Sequence, residues 1–256
     1  MSGNHLIALG TIVRREIVRI MRIWTQTLIP PAITMTLYFV IFGKLIGSRI
    51  GQMHGFTYMQ YIVPGLVMMS IITNSYGNIS SSFFGAKFGR FVEEMLVSPM
   101  PNWVMLLGYV TGAVVRGMIV GALVLVIALF FTDLHVAHPL TTFFSVLLGA
   151  TVFSLAGFVN AVFAKKFDDI ALVPTFVLTP LTYLGGVFYS VDLLSEPWHS
   201  ISLVNPILYM VNAFRFGVLG VSDVPIVTAF VVMLVFVVGL SAVALHLLKR
   251  GVGMRS

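Results

Sequence analysis

The sequence predicts an all-α membrane protein with six transmembrane helices, an amphipathic amino-terminal interfacial helix, a helical second cytoplasmic loop and a re-entrant helical hairpin on the outer side. Three observations lead there. Of 256 residues, 58% are hydrophobic and only 9% are charged, where a soluble domain carries about 25% charged residues. Six apolar stretches, near 27–46, 61–84, 104–131, 141–164, 170–190 and 224–248, match the roughly 20 residues that a helix needs to cross a hydrocarbon core. Basic residues crowd alternate loops, as the positive-inside rule requires.

That rule orients the bundle. Arg14, Arg15, Arg19 and Arg22, then Lys87 and Arg90, Lys165 and Lys166, and Lys249, Arg250 and Arg255 fall on one side, against Lys44, Arg49 and Arg215 on the other. Both termini are therefore expected in the cytoplasm. The net charge of +6 is accounted for by this asymmetry and gives no reason to expect a nucleic-acid partner. The chain has no cysteine, which excludes disulfides, thiolate metal sites and cysteine nucleophiles. No cleavable signal peptide is expected, because the first apolar segment is long enough to span and lacks a small-x-small motif at its end. With no internal repeat and no low-complexity linker, residues 1–256 read as one membrane domain.

Along the chain, residues 5–25 come first. Val13, Ile17, Ile20 and Trp24 recur at helical spacing while Arg15, Arg19 and Arg22 keep the same period on another face. This is the pattern of a helix lying on the inner leaflet, although a plain basic flank would also place arginines there. Pro30 and Pro31 fall where the first span should begin, a position that tolerates the missing amide donors.

The stretch KFGRFVEEMLVSPMPNW, residues 87–103, is a polar island between two spans. Phe88, Phe91, Val92, Met95 and Leu96 form one apolar stripe at helical spacing, and Arg90 with Glu94 forms an i, i+4 charge pair. Ser98, Pro99 and Pro101 stop the helix, since the residue before a proline avoids helical geometry. Such a helix is too short and polar to span. It either packs on its own bundle or presents a surface to something in the cytoplasm.

Arg116 sits within the third apolar stretch, about one turn inside the expected boundary. It is read two ways, as a side chain snorkelling to the headgroups or as a gating or pathway residue. Gly108 with Gly112 and Gly117 with Gly121 are two GxxxG pairs that project to opposite faces of one helix, allowing close packing on both. His54, His135, His138 and His199 lie in or beside the outer loops, but no HExxH or paired ligand motif appears and no metal site is expected. Lys165, Lys166, Asp168 and Asp169 read as a solvated turn. From 188 to 220 a Leu-, Ile-, Val- and Phe-rich segment is broken by Pro197 and Pro206, so neither half spans alone. Two short helices dipping into the outer leaflet fit this pattern, as does an interfacial loop; Tyr189, Trp198 and Tyr209 suit that depth. There is no GxxxxGK[ST] phosphate loop, so ATP-driven work would need an ATPase on another chain.

Two segments carry a family resemblance. EEMLVSPMP at 93–101 is similar to a Glu-x-Leu-x-x-(Ser/Thr)-Pro element, and NPILYMVNAFRFG at 205–217 to an Asn-Pro-Leu-(Thr/Ser)-Tyr-x-x-(Asp/Asn)-Ala-(Phe/Leu)-Arg signature. Together with the element order, they make the chain resemble the ABC-2 type permeases, the membrane subunits of ATP-binding-cassette exporters. The resemblance covers essentially the whole chain. It implies that 87–101 is a coupling helix docking on the cytoplasmic ATPase, with Phe91, Glu93, Glu94, Met95 and Leu96 at the contact and Ser98 and Pro99 fixing its exit. It implies further that the helix bearing Arg14, Arg15, Arg19 and Arg22 touches the ATPase. The hairpin 192–217, with Asn205, Pro206, Tyr209 and Arg215, would cap a substrate path between two permease copies. The family's Phe-Pro pair near 188 is replaced here by Phe188 and Tyr189. No cofactor is implied in this chain; ATP and Mg belong to the partner. The competing readings are an ion-coupled secondary transporter, which would want ionisable residues near mid-membrane, where the spans offer only Arg116, and a structural membrane subunit.

Overall fold

The structure, a computed structural model, describes residues 2–253, so Arg255 of the basic carboxyl terminus lies outside the described residues. In chain order the helices are α1 (Ser2–Arg22), α2 (Trp24–Tyr38), α3 (Gly47–Ile50), α4 (Tyr58–Phe88), α5 (Phe91–Val97) and α6 (Asn102–Leu129). They continue as α7 (Pro139–Phe163), α8 (Asp169–Val173), α9 (Thr179–Tyr183), α10 (Trp198–Val204), α11 (Pro206–Leu219) and α12 (Ile226–Arg250). π-helical turns over Phe39–Ile46 and Pro174–Leu178 join α2 to α3 and α8 to α9.

Among the described residues, four helical segments are both long and apolar enough to cross a bilayer: Trp24–Gly43, α6, α7 and α12. The other two expected spans differ from the simple pattern. Residues 61–84 fall inside α4, which at 31 residues is long enough but less apolar than such a span needs. Its polar side chains explain this, because Ser70, Ser75, Asn78 and Ser80 are buried where α4 packs against α6, α7 and α11. Residues 170–190 yield only an interrupted apolar helix over Asp169–Tyr183. Pro174 and Pro180 remove amide donors from it, and Gly186, at φ +67°, turns the chain shortly after its end.

Alongside an apolar core, the fold leaves far more apolar surface outward than a water-soluble fold does. Only 11% of the apolar window of α12 is covered, and Val227, Val235 and Val238 are exposed on it. Glu16, Asn212 and Arg215 are meanwhile inside. A chain solvated by lipid leaves its apolar faces outward and satisfies polar groups internally.

The glycines of α6 set the helix spacing. A Cβ on Gly108 or Gly112 would run into Ile12 or Glu16 of α1, while one on Gly117 or Gly121 would run into Ser75 or Ile71 of α4. The two GxxxG pairs thus seat two different neighbours of the same chain on opposite faces of α6.

At the amino terminus the first span begins before Pro30 and Pro31. The helix ends at Arg22, and Ile23 leaves helical geometry with ψ +31°, whereas Pro30 and Pro31 lie inside α2. The break at Ile23 therefore separates α1 from the first span. The two prolines cost α2 the hydrogen bonds to carbonyls four residues back without ending it. One short hairpin was not anticipated. Gln52 pairs with Thr57 and Met53 with Phe56 around His54 and Gly55, both at positive φ, as a tight two-residue turn requires.

The basic clusters gather at one end of the bundle. Lys87, Arg90, Lys165 and Gly253 line one cavity of about 490 Å³ there, which brings the second loop, the fourth loop and the carboxyl end together. Lys87 does more than flank a span: its ammonium donates to the carbonyls of Val162 and Ala164, each at 2.7 Å, and so caps the carboxyl end of α7.

Candidate functional site

The polar island builds a helix that is split from its neighbour. α4 ends at Phe88, Gly89 follows, and Arg90 adopts the left-handed conformation at φ +63° before α5 begins at Phe91. The expected continuous stripe from Phe88 to Leu96 is therefore broken at Gly89 and Arg90, and the helix covers 91–97 instead of 87–101. A residue in left-handed geometry cannot continue a right-handed helix, so the stripe divides. Val92 is fully buried, and Met95 and Leu96 pack against the core, while Phe91 is 56% exposed. The expected Arg90–Glu94 pair does not form, since Arg90 stands outside the helix; among the described residues Glu94 has no ion-pair partner.

The outward face of α5 consists of Phe91, Glu94 and Val97, spaced by three, and it continues into exposed Ser98 and Pro99. Val97, which the sequence did not single out, is 88% exposed. Glu93 is half-buried. Ser98 Oγ donates to the Met95 carbonyl at 2.8 Å, which closes the last turn. Ser98, Pro99 and Met100 line a cavity of about 330 Å³ with Asn4, His5 and Ala8 of α1, so the exit of α5 and the start of α1 share one surface.

The arginines of α1 divide in a way that periodicity hides. Arg14 and Arg22 are exposed; Arg15, also exposed, and Arg19 nonetheless reach partners in the bundle, and apolar Leu6, Ile7, Val18 and Met21 are outside. The cause is Glu16, which is 1% exposed and is the sole acid before Glu93 in the sequence. Arg19 Nη2 lies 3.0 Å from Glu16 Oε2, Arg15 Nη2 lies 3.4 Å from Oε1, and Ser82 Oγ of α4 donates to Oε2 at 2.7 Å. Arg15 also donates to the Tyr109 hydroxyl of α6 at 2.6 Å. Burial disfavours the Arg15 charge, but Tyr109 and Glu16 outweigh it and raise its pKa above the ordinary arginine value. Arg116 joins this cluster, its Nη1 reaching Asn78 Oδ1 at 3.4 Å. It is thus drawn into a polar network between α1, α4 and α6, which neither of its two sequence readings had described.

At the opposite end the signature 205–217 forms a lock. Asn205 caps α11 by accepting from the Ile207 amide at 3.0 Å and donates to the Leu181 carbonyl at 2.6 Å. Pro206 occupies the first helical position, where its missing donor costs nothing. The Tyr209 hydroxyl donates to the Leu203 carbonyl at 2.7 Å and fixes the 82° bend between α10 and α11. Arg215 is fully buried rather than lying in an outer loop. It donates to the Gly186 carbonyl at 2.6 Å, lies 3.7 Å from Asp223 Oδ2, and stacks 4.1 Å from the ring centre of Tyr61. Asp223, missed in the sequence, also accepts from Tyr61 and from the Val191 amide. Its own amide donates to Asn212.

His54, Asp192 and Asp223 each offer one ligand atom, all within 4.8 Å of one another. Only His54 had drawn attention as a candidate ligand. The Asp223 carboxylate is already met by Tyr61, Val191 and the Arg215 cation, so a protein charge serves it as counter-ion. In the fourth loop, Asp169 Oδ2 accepts from the amides of Lys165 and Lys166 at 2.8 and 2.9 Å, which makes Asp169 a turn closure.

Comparison with known proteins adds the following. A family model described as ABC-2 type transporter matches residues 7–219. Over 256 residues, the full length of both chains, the sequence is 60% identical to the inner membrane transport permease YadH of Escherichia coli K12. It is 22% identical to nodulation protein J of Rhizobium leguminosarum bv. viciae, over 84% of this chain and 83% of that protein. To nodulation protein J of Rhizobium meliloti it is 25% identical, over 72% of this chain and 71% of that protein.

Proposed function

The chain belongs to the ABC-2 type transporter family, and from that premise we propose that it is the permease subunit of an ATP-driven exporter, engaging a separate cytoplasmic ATPase through α5. The observation that carries this reading is the outward face of α5. Phe91, Glu94 and Val97 stand exposed on a helix whose other side is anchored by buried Val92. That mixture of apolar and acidic side chains at the basic, polar end of a membrane bundle suits a protein partner better than lipid tails. α1 shares the surface through Asn4, His5 and Ala8, and exposed Arg14 and Arg22 supply charge beside it. Glu93, Met95, Leu96, Ser98 and Pro99 hold the contact in place.

In this reading the protein sits in a bacterial inner membrane with six crossings: Trp24–Gly43, α4, α6, α7, the interrupted helix Asp169–Tyr183 and α12. Both termini and α5 face the cytoplasm, by the gathering of basic residues at that end. The bent pair α10 and α11 re-enters the opposite leaflet, and Asn205, Pro206, Tyr209 and Arg215 hold it as the outer gate. Two copies of the permease pair with two ATPases. ATP and Mg are bound on the ATPase, while this chain contributes no catalytic group, no metal ligand and no nucleic-acid surface.

The test is affinity purification from membranes in mild detergent, comparing the native chain with Glu94→Arg plus Val97→Asp. Both positions are exposed, so the variant is expected to elute as the native protein does. Loss of a co-purifying nucleotide-hydrolysing subunit from the variant alone supports the reading. Equal recovery of that subunit with both proteins refutes α5 as its contact.

A further inference from the structure

The cluster between α1, α4 and α6 holds more positive charge than it can neutralise, and its donors outnumber its acceptors. Arg15, Arg19 and Arg116 bring three guanidinium groups, and Glu16 is the one carboxylate among their hydrogen-bond and ion-pair partners. Arg19 and Arg116 both converge on a single neutral acceptor, Asn78 Oδ1, at 2.7 and 3.4 Å. Arg19 Nη2 is shared between that oxygen, the Asn78 carbonyl and Glu16. Three other donors in the same place have no hydrogen-bond partner among the described residues: Arg19 Nε, Arg116 Nε and Asn78 Nδ2. Asn78 itself is fully buried. Buried donors are almost always satisfied in native proteins, and an ionisable group within a membrane domain marks a functional position.

We infer that this cluster is a binding site for a phosphate-type anion, whose oxygens would supply the acceptors and the negative charge that Glu16 alone does not. Planar guanidinium groups recognise such anions by paired, charge-assisted hydrogen bonds. The cluster borders the surface of the bundle: the Arg19 side chain is 30% exposed, and Thr73, Gly77 and Ser81 form an exposed face of α4 beside buried Asn78. Asn78 lies ten residues from the α4 terminus at Phe88, about 15 Å along the helix. An anion there sits below the basic end, with exposed Val18 and Met21 of α1 available to an acyl chain. The phosphate can come from a membrane phospholipid headgroup or from a soluble phosphate compound. The inference needs only the membrane location and stands apart from the ATPase reading of α5.

The experiment uses the purified full chain in neutral detergent. Retention of added phosphatidylglycerol is followed by native mass spectrometry, with phosphatidylcholine and inorganic phosphate in separate arms. The native protein should retain phosphatidylglycerol, and Arg116→Gln should weaken retention by about tenfold or more, the worth of a charge-assisted bond, while Arg116→Lys keeps much of it. Glu16→Gln should act in the opposite direction, since it removes the competing carboxylate. Displacement of lipid by inorganic phosphate identifies the headgroup anion as sufficient; retention that phosphate cannot displace assigns the site to the lipid. If neither anion binds, or if Glu16→Gln and Arg116→Gln weaken retention alike, the cluster is a structural brace and the inference fails. Should Arg116→Gln not survive purification, Glu16→Gln alone decides, with a gain expected for the site and a loss for a brace.

Discussion

Two buried arginines show what single residues do in this chain. Arg215 is enclosed by Tyr61, Gly186 and Asp223, so its charge is met inside the protein. Removing one member of a buried pair strands the other, at a cost of about 3–5 kcal/mol, whereas removing both costs less. Arg215→Met is therefore expected to lower the thermal midpoint in detergent sharply, and Arg215→Met with Asp223→Asn to recover part of the loss. Equal midpoints for the single and double variants would show that the pair is not coupled. From sequence, Arg215 was visible as part of a motif and as one of the basic residues assigned to the outer side. Its partner Asp223 lies eight residues beyond it, across a turn, where no periodicity links the two. Glu16 was more legible in principle, as a lone acid among arginines, but helical spacing reports faces and not partners. The apolar residues at Val13 and Ile17 pointed to a membrane face, while the structure buries Ile12, Glu16 and Ile20 and leaves Val18 and Met21 outside.

At the scale of elements, the sequence was most informative where a steric rule acts locally. The GxxxG pairs of α6 face two neighbours as their spacing requires. Gly117→Val should be destabilising by about 1–3 kcal/mol or more, because its branched side chain meets Ser75 and the Ile71 carbonyl. Gly77→Ala has open space and should be neutral or stabilising by up to about 1 kcal/mol. Thermal unfolding of both variants in one detergent checks the pair, and similar destabilisation by each would contradict the packing. The island was legible as a helix stopped by Pro99 and Pro101. Its start was not, since a left-handed residue at Arg90 leaves no mark when the residue is not glycine. That one dihedral decides which apolar side chains face outward, and so moves the expected contact from Leu96 to Val97. The interruption of the helix over 170–190 was not legible for a related reason: apolar composition sets what can enter lipid, while Pro174, Pro180 and Gly186 set how far a helix runs.

Over the whole molecule, composition alone identified lipid as the solvent, and charge asymmetry identified one end of the bundle as basic. The structure brings Lys87, Arg90 and Lys165 together beside the carboxyl end, through contacts such as Lys87 on the end of α7 that tie separate loops together. The chain lacks cysteine, so single introduced cysteines report sidedness without background. Val97→Cys and Val252→Cys should react with an impermeant maleimide only in inverted membrane vesicles, and Leu193→Cys only in right-side-out preparations. The reverse pattern would invert the topology. The central claim is that the outward face of α5 meets a separate ATPase. The most direct measurement places a photo-crosslinking amino acid at Val97, with Val227 on the exposed face of α12 as control, and irradiates intact membranes. The account predicts an adduct at position 97 that contains a nucleotide-binding subunit and is absent at 227. Adducts only with lipid at both positions, or with the same proteins at both, would contradict it.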